Sequence, residues 1–158
     1  MKKLINLTVN GKKYELAVMP NVTLADMLRK ELVLTGTKKG CDAGDCGTCT
    51  VILDGKPVNS CLVLAVQANG RKVLTIEGMG DETGLHPIQK AFVEKGAIQC
   101  GFCSPGMILS AKALLDRNPK PTEMEVRTAI SGNLCRCTGY QKIVDAVESA
   151  AAKMRGEE

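Results

Sequence analysis

Eight cysteines among 158 residues constrain this chain more than any other feature. Cys41, Cys46, Cys49 and Cys61 lie in the first half, and Cys100, Cys103, Cys135 and Cys137 in the second. An even count is compatible with disulfides, which need an oxidising compartment and usually a signal peptide. The N-terminus Met1-Lys2-Lys3-Leu4-Ile5-Asn6-Leu7-Thr8-Val9-Asn10 alternates apolar with polar residues and never forms an apolar h-region. No segment is apolar enough over enough length to span a membrane. The expectation is a cytoplasmic chain whose clustered cysteines bind metal. His86 is the single histidine. A classical zinc finger or a Rieske centre needs two, so any metal here is held by thiolates.

The first group reads Cys41-x4-Cys46-x2-Cys49, with Cys61 after eleven further residues. This is the plant-type spacing for a 2Fe-2S cluster. Three ligands on one short loop can wrap a cluster, and Gly40, Gly44 and Gly47 let backbone N–H groups turn toward the sulfurs. The fourth ligand must return from elsewhere, and a hairpin at Asp54-Gly55 would set Cys61 almost opposite Cys49. A redox pair or half a zinc ribbon would also explain Cys46-Gly47-Thr48-Cys49. Neither needs Cys41 in the same loop, and a thioredoxin-like pair should open a helix where Thr50-Val51-Ile52 reads as a strand.

Ile5, Leu7 and Val9 alternate with polar neighbours before the turn Asn10-Gly11, and Tyr14, Leu16 and Val18 alternate after it. Thr23 caps a helix carrying Leu24, Leu28 and Leu32 on one face, with Gly36 as its stop. Strands are expected at Cys49–Leu53, from Val58 to Val66, and at Val73–Ile76. After about Gly80 the period becomes helical. Pro87 opens one helix and Gly96 stops it. Ser104-Pro105 opens the second, which Asn118-Pro119 ends. Thr122-x-x-Glu125 is a capping box for the third, ended by Gly132. Thr138-Gly139 opens the last, with Ile143 and Val147 inward, and the tail from Arg155 to Glu158 should fray. The fold class is α+β: a β-rich domain over residues 1–80 followed by an all-α domain over 81–158.

The second group is Cys100-x2-Cys103 and, after thirty-one intervening residues, Cys135-x-Cys137. Each pair is read as sitting just before a helix start, where free N–H groups and the helix dipole favour thiolates. Spacing alone leaves a four-thiolate zinc site open here, and leaves the cluster type open as well.

Other classes fit poorly. A net charge of +4 is too weak a signal for nucleic acid, and aromatics at 3% offer few stacking platforms. There is no G-x-G-x-x-G, and Gly36-Thr37-Lys38-Lys39-Gly40 is no P-loop. No Ser-His-Asp set exists, so no catalytic residue is assigned. His86 is read as a surface or capping residue.

The stretches Gly40-Cys41-Asp42-Ala43-Gly44-Asp45-Cys46-Gly47-Thr48-Cys49-Thr50-Val51, Gln99-Cys100-Gly101-Phe102-Cys103-Ser104-Pro105-Gly106-Met107 and Gly132-Asn133-Leu134-Cys135-Arg136-Cys137-Thr138-Gly139-Tyr140 resemble the small iron–sulfur subunit of the xanthine oxidase family of molybdenum hydroxylases. The resemblance runs over nearly the whole chain, and all eight cysteines fall on ligand positions. It implies a plant-type ferredoxin-like β-grasp domain, then a four-helix-bundle domain, each with one 2Fe-2S cluster. It implies that the cluster on Cys100, Cys103, Cys135 and Cys137 lies nearest the molybdopterin of a large subunit, with Gln99 and Cys137 facing the pterin. The cluster on Cys41, Cys46, Cys49 and Cys61 would exchange electrons with FAD on a medium subunit, in a dimer of heterotrimers. The rival readings are a freely diffusing ferredoxin and a zinc-stapled interaction module.

Overall fold

The computed structural model describes residues 1–157. Glu158, part of the tail expected to fray, lies outside the described residues, while Arg155 pairs with Glu157 and donates to the Pro119 carbonyl at 2.6 Å.

Alternation builds the first hairpin. β1 (Lys3–Val9) buries Ile5, Leu7 and Val9 and pairs antiparallel with β2 (Lys12–Val18). The turn between them places Asn10 and Gly11 at φ 51° and 79°, the twist a two-residue hairpin requires. α1 (Leu24–Lys30) starts at Thr23, whose hydroxyl accepts the Asp26 N–H at 3.1 Å. β3 (Thr50–Leu53) and β4 (Lys56–Asn59) form a second hairpin about Asp54 and Gly55, and β5 (Lys72–Leu74) closes the sheet. The strand order is β2-β1-β5-β3-β4, with β1 and β5 parallel and the other neighbours antiparallel.

Four helices follow: α2 (Pro87–Glu94), α3 (Ser104–Arg117), α4 (Glu123–Ile130) and α5 (Gln141–Met154). Their core is built on Ile88, Phe92, Met107, Leu109, Ile143 and Val144. β3 is buried along its whole length because it serves two cores. Val51 and Leu53 face the sheet–α1 core, and Ile52 joins the helical core beneath α3. This contact joins the halves, and the α+β class is as expected. No helix among the described residues is long and apolar enough to cross a membrane.

Three boundaries differ from expectation. α1 stops at Lys30, because Val33 turns left-handed at φ 57° and Leu34 N–H returns to the Leu28 carbonyl at 2.8 Å. β4 stops at Asn59 instead of continuing to Val66, because the Ser60 and Val63 carbonyls accept the Ala25 and Leu24 N–H groups of α1. α5 starts at Gln141 instead of Thr138-Gly139, because Tyr140 takes φ 69°. Cys103 is therefore the N-cap of its helix as expected, whereas Cys137 lies upstream of the α5 start in a loop.

Candidate metal centres

The first centre is a loop whose backbone is turned inside out. Asp42, Gly44 and Gly47 all take positive φ between Cys41 and Cys49. The result points three amides at one sulfur: Ala43, Asp45 and Cys46 N–H donate to Cys41 Sγ at 3.3, 3.3 and 3.4 Å. These donors, Ala43 foremost, pull the Cys41 thiol down to about 7. Burial has the opposite effect on Cys61, pushed up to about 11, with Cys49 beside it adding to the rise. The hairpin brings Cys61 beside Cys49, as the register predicted. Thr50 pairs with Asn59, Ser60 N–H and Oγ both bond the Cys49 carbonyl, and Cys61 follows. Lys39 anchors the loop by bridging Asp26 of α1 and Asp42 at 3.1 and 3.0 Å.

The second centre is assembled from distant segments. Cys100 and Cys103 precede α3, and Cys135 and Cys137 precede α5. Together they line a cavity of about 290 Å³ shared with Phe102 and Leu134. Cys103 is buried and its thiol pushed up to about 12 by that burial. Burial also opposes ionisation of Cys135, but hydrogen bonding from Thr138 outweighs it and the thiol falls below its usual value. Thr138 Oγ1 donates to Cys135 Sγ at 3.1 Å. Cys135 N–H donates to the Tyr140 hydroxyl at 2.8 Å. An aromatic residue at φ 69° carries strain of order 1–3 kcal/mol, which the packing of Tyr140 against the helical core offsets.

In both centres the thiols come in twos. Cys41 interacts with Cys46, Cys49 with Cys61, Cys103 with Cys135, and Cys100 Sγ lies 3.6 Å from Cys137 Sγ. Two thiolates per metal is what a binuclear iron–sulfur core requires, whereas zinc draws all four to one point. The surrounding donors fit an anionic, sulfide-bearing group too. Besides the amides on Cys41, Thr48 Oγ1 lies 3.2 Å from Cys46 Sγ, and the buried Ser104 hydroxyl next to Cys103 lacks a protein partner. All eight cysteines are free of disulfides.

The centres meet at a tight junction. Leu134 N–H donates to the Cys46 carbonyl at 2.9 Å, linking the residue before one ligand to a ligand of the other centre. Buried Asn133 donates from Nδ2 to the Gly47 carbonyl at 2.9 Å and Thr50 Oγ1 at 3.2 Å, and accepts from Ser110 Oγ at 2.7 Å. The backbones approach so closely that a Cβ on Gly47 would stand 2.2 Å from the Gly132 oxygen. Sequence reasoning missed Asn133, Thr48 and Thr138 as working residues. Nothing local marks a buried Asn, and Thr138 reads as a helix opener. Gln99 is exposed beside the exposed Cys100 and Cys137, while His86 caps α2 by accepting Ile88 N–H at Nδ1, 3.2 Å away.

Two families match the chain in succession: the 2Fe-2S iron-sulfur cluster binding domain over residues 7–75 and the 2Fe-2S binding domain over residues 75–148. The chain is 50% identical over 149 residues to the nicotinate dehydrogenase small FeS subunit of Eubacterium barkeri, covering 94% of this chain and 95% of that one. Among solved structures it is similar to a chain of quinoline 2-oxidoreductase from Pseudomonas putida 86, with TM-score 0.93, 48% identity and 99% of both chains covered. It is also similar to the aldehyde oxidoreductase of Desulfovibrio gigas, with TM-score 0.94 and 49% identity over 99% of this chain but 18% of that longer one.

Proposed function

Since the chain belongs to the small iron–sulfur subunits of the xanthine oxidase family of molybdenum hydroxylases, we propose that it conducts electrons between the molybdopterin of a large subunit and the FAD of a medium subunit. The chain is an electron-transfer subunit of an oxidoreductase and carries two 2Fe-2S clusters. Each cluster supplies a site that takes up and releases one electron at a time. Cys41, Cys46, Cys49 and Cys61 hold one, and Cys100, Cys103, Cys135 and Cys137 hold the other. Substrate chemistry belongs to the partners. The working unit is a dimer of heterotrimers, in the cytoplasm, where free thiols persist.

The observation that carries this reading is the pairing of one exposed and one buried side in each centre. Cys49, Cys61 and Cys103 are buried, whereas Cys41, Cys100 and Cys137 face solvent. The exposed Cys100–Cys137 pair shares its cavity with Phe102 and Leu134, at 44% and 54% exposure. Exposed apolar side chains beside exposed ligands suit a docked redox partner better than a diffusing carrier. We assign Gln99 and Cys137 to the pterin contact. The Gln99 amide, exposed next to Cys100, can both donate to and accept from a polar heterocycle.

The test is the complex purified from its native host. Two larger chains bearing molybdenum and FAD should copurify, and Gln99→Ala should keep full iron content while slowing reduction of the nearer cluster by substrate. A lost neutral hydrogen bond is worth about 1 kcal/mol, or roughly fivefold in rate. Recovery of the chain as a stable monomer would defeat the subunit reading. An unchanged reduction rate at full molybdenum occupancy would defeat the Gln99 contact alone.

A further inference from the structure

We propose that Thr138 and Tyr140 form a relay that raises the reduction potential of the cluster in the helical half, acting through Cys135 Sγ. The inference rests on the two-cluster reading above. Its geometry is local and complete. The Tyr140 backbone N–H donates to Thr138 Oγ1 at 3.3 Å, and Thr138 Oγ1 lies 3.1 Å from Cys135 Sγ. A hydroxyl has a single proton. With its oxygen accepting from Tyr140, that proton is aimed at the sulfur. The Tyr140 ring then returns to the same ligand, its hydroxyl accepting Cys135 N–H at 2.8 Å.

The usual role for a threonine ahead of a helix is capping, and Thr138 does not perform it. α5 begins at Gln141, and its N-cap is Tyr140, whose side chain makes no capping bond. The left-handed Tyr140 backbone at φ 69° is what turns its N–H back toward Thr138 while its ring reaches Cys135. The Tyr140 carbonyl accepts the Ile143 and Val144 N–H groups of α5, but its strained backbone N–H and its ring hydroxyl are both turned toward the Cys135 ligand, to Thr138 Oγ1 and to Cys135 N–H.

The chemical consequence has a definite sign. Reduction adds one electron, with its negative charge, to the cluster and its thiolates, and no bond is made or broken. A donor fixed on a ligand sulfur favours the more negative state, so it raises the potential. Thr48 Oγ1 lies 3.2 Å from Cys46 Sγ in the other half, a contact that substitutions at Thr138 leave in place.

The experiment is a redox titration of the purified holoenzyme followed by electron paramagnetic resonance, with each signal assigned beforehand by its loss in Cys49→Ser or Cys103→Ser. Thr138→Val keeps the shape and removes the donor. It should make reduction of the helical-half cluster about tenfold less favourable, a drop of about 59 mV for one electron, and leave the other signal in place. Thr138→Ser should restore the wild-type potential. An exchangeable-proton coupling on the reduced cluster should vanish in Thr138→Val and persist in Thr138→Ser. A shift below threefold, an equal shift of both signals, or no rescue by serine would overturn the relay. If Thr138→Val does not load its cluster, Thr138→Ala carries the same measurement. Failure of both to load, while serine loads, would make the hydroxyl structural and overturn the tuning role. Absence of two separate signals in the wild-type enzyme would instead sink the two-cluster reading.

Discussion

The two centres hold four thiols each, yet they are made by different means. The first is a property of a loop. Nine residues from Cys41 to Cys49 carry three of its cysteines, positive φ angles at Asp42, Gly44 and Gly47 shape it, and backbone amides donate to Cys41 Sγ. The second is a property of packing. Its two pairs are separated by thirty-one intervening residues and converge only because α3 and α5 share a core, and its sulfur-directed donor is the Thr138 side chain. A loop-built cage can be read from local spacing. A packing-built cage cannot, since only tertiary contacts say whether two distant cysteine pairs face one another.

The sharpest way to break that comparison is to remove one ligand from each centre. Cys49→Ser and Cys103→Ser each replace a soft, buried thiolate by a harder oxygen ligand. The intact chain should hold about four iron and four labile sulfide. Each variant should lose about half of the iron and one spectroscopic signal, a different one in each case. The packing-built cage should also cost more stability, since Cys103 sits in the helical core and Cys49 in a small cluster with Ala25 and Cys61. If both substitutions abolish the same signal, the assignment of one cluster to each half fails.

Legibility follows the same division. Asn10-Gly11, Asp54-Gly55 and Thr122-x-x-Glu125 were legible because each device acts within four residues, and the structure has them as two hairpin turns and a capping box. The helix start at Thr138-Gly139 was misplaced because the Thr138 hydroxyl serves a sulfur, which no helix signal records. The strand expected to reach Val66 ended at Asn59 because α1 claims the next carbonyls. Nothing local marks Asn133 within Gly132-Asn133-Leu134-Cys135. Its burial and its bonds to Gly47 and Thr50 span more than eighty residues of sequence and emerge only in the fold.

That junction supplies the second test. Asn133→Ala leaves the Ser110 hydroxyl without its partner in a buried setting and removes the cross-half bond to the Gly47 carbonyl, which keeps the Thr50 N–H and hydroxyl. The expected loss is about 1–3 kcal/mol of stability. Both clusters should still load, because Asn133 touches no ligand sulfur. Their magnetic interaction should weaken as the Leu134–Cys46 bond loosens. Denaturant unfolding monitored in both halves checks the first claim. A stability change below about 0.5 kcal/mol would show that the halves are held by the β3–α3 packing alone.

The smallest effect separates the halves by acid. His86 caps α2 as a neutral acceptor, and burial, with Lys112 second, holds its pKa below 6.5 against the opposing pull of Asp116. A depressed histidine stabilises the fold above its unfolded value, and that contribution falls away as pH drops through 6.5 toward the lower folded value. Asp26 sits in the other half. Burial raises its pKa, but hydrogen bonds from Lys30, Lys39 and Thr23 prevail and hold it at about 2. Its contribution is present above the ordinary carboxylate value and is lost only as pH falls from there toward 2. Between pH 7 and 5.5, therefore, the α2 amides should exchange faster, after correction for intrinsic rates, while those of α1 hold. The change should be a few tenths of a kcal/mol to about 1 kcal/mol, the worth of one helix cap. His86→Asn keeps a capping acceptor without a titrating group, so the pH slope at α2 should disappear. Earlier loosening of α1, or an undiminished slope in His86→Asn, would show that neither group governs the acid response of its half.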